Sequence, residues 1–104
     1  MLKKSYRLAK NEIERLFKKG RALPQDFVLV RFSPNRADHC RFAVVIPKKV
    51  MVKATDRNRA RRQVYALLAE NKALWQNKNL DISFSFRQFN DTMPAVLTTV
   101  LEKL

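Results

Sequence analysis

The 104-residue chain predicts an α+β fold, a small central β-sheet with helices in the order α-β-β-α-β-α. Three observations carry this. Apolar residues recur at helical spacing in three segments, around 11–19, 56–75 and 94–104. Three short runs rich in β-branched and aromatic residues lie among them: FVLVRF (27–32), RFAVVI (41–46) and ISFSF (82–86). The length suits one domain, residues 1–104, with no repeat, linker or low-complexity segment to divide it.

The elements follow in order. Asn11 with Glu14 fits the N-cap and N3 positions of a capping box, and Ile13, Leu16 and Phe17 share one face. Gly20 terminates that helix, and a basic arm, MLKKSYRLAK, precedes it. Leu23-Pro24 reads as a break in the chain. The first strand then covers 27–32, and the turn residues of SPNRADH separate it from the second. RFAVVI is apolar enough for burial on both faces, and Pro47 ends it. Thr55 or Asp56 caps a second helix running to about Trp75. At ~100° per residue, Ala60, Val64, Leu67, Leu68, Leu74 and Trp75 fall within one apolar arc. Asn58, Arg61, Arg62 and Tyr65 gather opposite, flanked by Arg57 and Arg59. ISFSF alternates like a half-exposed strand, and Asp91 or Thr92 with Pro94 opens the last helix. Most of the aromatic residues, Phe27, Phe32, Phe42, Phe84, Phe86 and Trp75, are assigned to the core.

Charge points toward function. The formal net charge is +13, and it is not spread evenly. Residues 1–22 hold eight Lys/Arg against two Glu, and residues 41–62 hold eight against one Asp; the remaining segments are neutral. Within Lys48–Gln63 seven cations accompany one acid. Cations in the first turns of a helix oppose its macrodipole, so stability does not account for them. Directed cationic surfaces of this kind attract polyanions. Arg forks and Lys point charges suit phosphates, and six to eight such contacts give a log–log salt slope of roughly −5 to −7.

Other classes find little support. The lone Cys40 excludes an internal disulfide framework, and no apolar run is long enough to span a bilayer. The basic N-terminus lacks the apolar stretch of a secretory signal, so a cytoplasmic location is expected, without membrane association. His39 and Cys40 are adjacent and have no further His or Cys partner for a zinc site. The nine acids are scattered, and no catalytic residue of the protein's own is expected.

RFAVVIPKKV followed by RNRARR resembles the bacterial ribonuclease P protein family, whose hallmark is a buried strand ending in Ser-Lys-Lys-Val, a loop, and Arg-Asn-Arg-x-Lys-Arg opening a helix. YRLAKNEIERLFKKG, FVLVRF and LDISFSFR are similar to the family's opening helix, first strand and later strand, so the likeness covers nearly the whole chain. It implies an RNA-binding set of Lys48, Lys49, Arg57, Asn58, Arg59, Arg61 and Arg62; Lys53, within the same basic run, and Tyr65, on the polar side of the helix, are added to it. It further implies a cleft for the 5′ leader of precursor tRNA lined by Ile13, Phe17 and Val30. The implied partners are the ribonuclease P catalytic RNA and precursor tRNA, not DNA. The implied reaction is Mg²⁺-dependent cleavage, with Mg²⁺ held mainly by the RNA. The family fold also carries a left-handed crossover between parallel strands, against the general right-handed rule. The chain departs from the pattern in having Pro47 for the usual Ser, Met51-Val52 where a Gly is common, one extra residue before Arg57, and Ile13 for a common Phe. A non-catalytic RNA-binding module of ribosomal type is the alternative on the same scaffold.

Overall fold

In the computed structural model, which describes residues 3–104, helix α1 (Lys10–Lys19) leads into strands β1 (Arg21–Gln25), β2 (Val28–Pro34) and β3 (Arg41–Val45). Helix α2 (Ala54–Glu70), strand β4 (Leu80–Phe86) and helix α3 (Met93–Lys103) complete the chain. Met1 and Leu2 of the basic arm lie outside the described residues. The sheet order is β1-β2-β4-β3. β1/β2 and β2/β4 are antiparallel, whereas β3 and β4 are parallel neighbours, so α2 is the crossover between them.

The order is thus α-β-β-β-α-β-α, one strand more than the sequence predicts. Leu23-Pro24 does not break the chain; Pro24 pairs with Leu29 inside β1. β1 lies at the sheet edge, where a residue without an N–H is tolerated. A tight turn at Asp26-Phe27 returns the chain to β2, with Asp26 at φ 51°, a left-handed conformation that Asp tolerates better than most side chains.

Three helix boundaries also move. The N-cap of α2 is Lys53 rather than Thr55 or Asp56, and α1 shows a similar shift. The capping box sits two residues earlier, where the Glu12 carboxylate accepts the Ala9 N–H at 2.8 Å. Gly20 ends α1 at φ −73°, so positive φ is not what it supplies. A Cβ there would lie 2.6 Å from the Leu16 carbonyl oxygen, and close approach is the reason for glycine. α2 stops at Glu70 rather than near Trp75, because the Asn71 side-chain amide donates to the Leu67 carbonyl (2.8 Å) and a 3₁₀ turn, Lys72–Leu74, follows.

The sheet separates two environments. On one face Val28, Val30, Phe42, Val44, Ile82, Phe84 and Phe86 form the core with Ala60, Val64 and Leu68 of α2, Trp75, and the apolar stripe of α3. On the other, Leu16 and Ile13 of α1 pack with Leu8 on Ala43. That second layer is why β4 is not half-exposed: Ser83, beside Ala43 in register, is fully buried.

Candidate nucleic-acid interface

The segment after β3 is a turn closed by Val50 and Met51 N–H groups donating to the Pro47 carbonyl, at 3.0 and 3.2 Å. It leaves Lys48 and Lys49 exposed. Exposed Lys53 is the N-cap of α2, without a side-chain cap. One turn on, Arg57 Nη1 donates to the carbonyls of Met51 (2.9 Å) and Val52 (2.8 Å). Arg57 therefore ties down the longer loop that precedes it, and its remaining N–H groups are the ones left for phosphate.

The other cations divide along α2. Asn58, Arg59 and Arg62 are exposed, and Arg61 donates to the Asn58 side-chain oxygen. Tyr65 is half-buried against the core, with the Arg7 guanidinium 4.8 Å from its ring centroid. Burial raises the Tyr65 pKa, while the nearby charges of Arg7 and Arg61 pull it down. Arg59 stands apart from this group. It lines a cavity of about 800 Å³ toward α3, together with Asp56, Gln63, Glu70, Phe89 and Asp91.

The cleft side is built by α1 on the sheet. Phe17 is 41% exposed, and the Arg31 guanidinium lies 5.2 Å from its ring centroid while donating to the Phe17 carbonyl at 3.3 Å. An aromatic ring carrying a guanidinium is a surface on which a base stacks and a phosphate pairs. Ile13 is half-buried in the contact with Leu8, Leu16 and Ala43. Val30 does not belong here: it is 0% exposed and lies on the core face between Leu23 and Phe84. Strand alternation gives the outward position to Arg31 instead. Arg31 was missed because it lies in the neutral stretch between the two basic blocks.

A charged lattice fixes α1 over the sheet. Arg41 donates from Nε and Nη2 to the two Asp81 carboxylate oxygens, each at 2.9 Å, and from Nη1 to Glu12. These carboxylates raise the Arg41 pKa, Asp81 most. Arg41 is thereby occupied structurally, although it belongs to the second basic block. Cys40 is buried, its thiol donates to the Lys78 carbonyl at 3.2 Å, and burial raises its pKa, so it is inert.

A sequence model described as Ribonuclease P matches residues 2–104. The chain belongs to the ribonuclease P protein family. It is 32% identical over 80 residues to the Ribonuclease P protein component of Syntrophomonas wolfei, covering 76% of this chain and 66% of that one. It is 34% identical over 59 residues to that of Thermotoga maritima, covering 57% and 50%. The aligned parts thus span between half and two-thirds of those relatives. Over the whole fold the likeness is wider. The solved RNase P protein from Thermotoga maritima superposes with a TM-score of 0.83 at 28% identity, covering 94% of this chain and 96% of that one. A Staphylococcus aureus RNase P protein mutant gives 0.82 at 25% identity, covering 96% and 88%.

Apart from Ile13 in α1, the departures from the family pattern fall into one place. Pro47 and Met51-Val52 sit in a loop that Arg57 clamps by its carbonyls, so the extra residue is absorbed before α2 begins.

Proposed function

We propose that the chain is the protein subunit of a bacterial ribonuclease P, binding the catalytic RNA and the 5′ leader of precursor tRNA while the RNA cuts the tRNA 5′ end. The observation that carries this is the family match along residues 2–104. The exposed cations Lys48, Lys49, Lys53, Arg59 and Arg62 support it. So do the partly engaged Arg57 and Arg61, with Asn58 between them. Phosphate neutralisation is what these groups do. Phe17 and Arg31 give a leader nucleotide a stacking face and a cation.

The protein's part is to bind and orient. Among the described residues no group of three or more His, Cys, Asp or Glu side chains could hold a metal ion. In this reading the Mg²⁺ of the reaction is held by the RNA phosphates. No helix among the described residues is long and apolar enough to cross a membrane. The cytoplasm, where the substrate is made, is the location that this function requires.

Reconstitution with a bacterial ribonuclease P RNA at low Mg²⁺ tests the reading. Stimulated cleavage at the mature tRNA 5′ end is the expected result. Tight RNA binding without stimulation, repeated with the RNA of the same organism, would favour the ribosomal-type binding module.

A further inference from the structure

From Ser5 to Leu8 the basic arm is docked on the sheet, and it brings the first basic block against the second. The Leu8 N–H donates to the Phe42 carbonyl at 2.8 Å, and Arg7 forms a parallel bridge with Phe42 on the free edge of β3. His39 Nε2–H donates to the Ser5 carbonyl at 2.9 Å. The Tyr6 ring packs edge-on to His39 (5.0 Å) and Trp75 (5.5 Å), with the Lys72 ammonium 5.6 Å from its centroid. Arg7 lies over Tyr65, whose phenol feels both Arg7 and Arg61.

We infer that the arm is a second wall of the RNA interface: Lys3, Lys4 and Arg7 join Arg61 beside Tyr65 and Lys72 beside Tyr6 in one continuous phosphate-binding surface. This rests on the RNA-binding reading above and extends it beyond the start of α2. Charge decides for a polyanion here. The recess of about 410 Å³ beside the arm is lined by Lys4, Arg7, Leu8 and Ala9, without a carboxylate. The larger cavity near α3 carries Asp56, Glu70 and Asp91 against a single Arg59. The recess beside the arm is the stronger draw for a phosphate chain, and on the α3 side only the exposed Arg59 offers it a cation.

The test is binding of the full chain to ribonuclease P RNA across a salt series. Two variants are used, Lys3→Gln/Lys4→Gln/Arg7→Gln and Tyr6→Ala, each checked for an intact fold by thermal melting. Three lost contacts flatten the log–log slope by roughly 2 to 3. Tyr6→Ala keeps every cation but removes the ring that anchors the arm, and its affinity is expected to fall several-fold. A triple variant that retains the wild-type slope overturns the inference. Unchanged affinity in Tyr6→Ala overturns the docked geometry. Wild-type protein that fails to bind the RNA refutes the underlying reading itself, and the inference with it.

Discussion

Arg41 and Asp81 form a two-pronged ion pair across the parallel strands β3 and β4, with both N···O distances at 2.9 Å. Their side chains are 25% and 15% exposed, so solvent weakens the pair without dissolving it. Asp81 also accepts the Asn35 side-chain amide at 2.8 Å, and Arg41 reaches Glu12 on α1. Asp81→Ala would strand two half-buried donors, at a cost of about 1–3 kcal/mol. Glu12→Ala should cost less, since Arg41 keeps Asp81. Denaturant midpoints with unchanged m values check the ranking. Equal losses would show that α1 depends on Glu12 as much as the sheet depends on Asp81.

Arg57 and Arg59 belong to one motif but should separate on mutation. Arg57→Ala removes two hydrogen bonds to the Met51 and Val52 carbonyls and is expected to destabilise by about 1 kcal/mol. Arg59 is exposed, so Arg59→Ala should stay within about 0.5 kcal/mol. Both should flatten the salt slope of RNA binding, by roughly 0.7–0.9 each. Melting curves and binding isotherms on the two single variants decide. Equal stability of both variants would remove the clamp from Arg57.

Much of this arrangement was legible in the sequence because it is local. The apolar arc Ala60, Val64, Leu68 and the outward cations of α2 follow from helical period alone. The family likeness rested on the run from Lys48 to Arg62. What escaped was decided by neighbours in space. β1 exists because β2 offers it an edge on which Pro24 does no harm. Ser83 is polar by composition yet buried, because α1 covers its face of the sheet. Val30 and Arg31 differ by one residue, and strand alternation turns one into the core and the other toward Phe17.

His39 should give folding stability a shallow pH dependence. Its Nδ1 faces the Asp38 carboxylate and its Nε2 the Ser5 carbonyl, each at 2.9 Å, and only the imidazolium can donate to both. Those bonds raise its pKa above 6.5, Asp38 contributing most, against partial burial and the nearby Arg41 charge. A raised folded pKa means the stabilisation is complete below the unfolded value of about 6.5 and is lost as pH rises through the folded value. His39→Gln should abolish that decline. Melting temperatures from pH 5.5 to 8.5 for both proteins test it, and identical profiles would refute the assignment.

Phe17 and Val30 should exchange the roles that the sequence assigns them in common. Phe17→Ala removes an exposed ring, so stability should barely change. The loss of base stacking should weaken precursor tRNA binding by about 1–3 kcal/mol and leave mature tRNA unaffected. Val30→Ala removes two methyl groups from a fully buried site beside Phe84, and about 2 kcal/mol of stability should go with them. Its ratio of precursor to mature tRNA affinity should remain that of the wild type. Arg31→Gln should resemble Phe17→Ala, since the guanidinium and the ring form one surface. Holoenzyme binding of both tRNAs, alongside melts of the three free proteins, gives every number needed. A Phe17→Ala variant that weakens both tRNAs equally would place the leader elsewhere on the sheet.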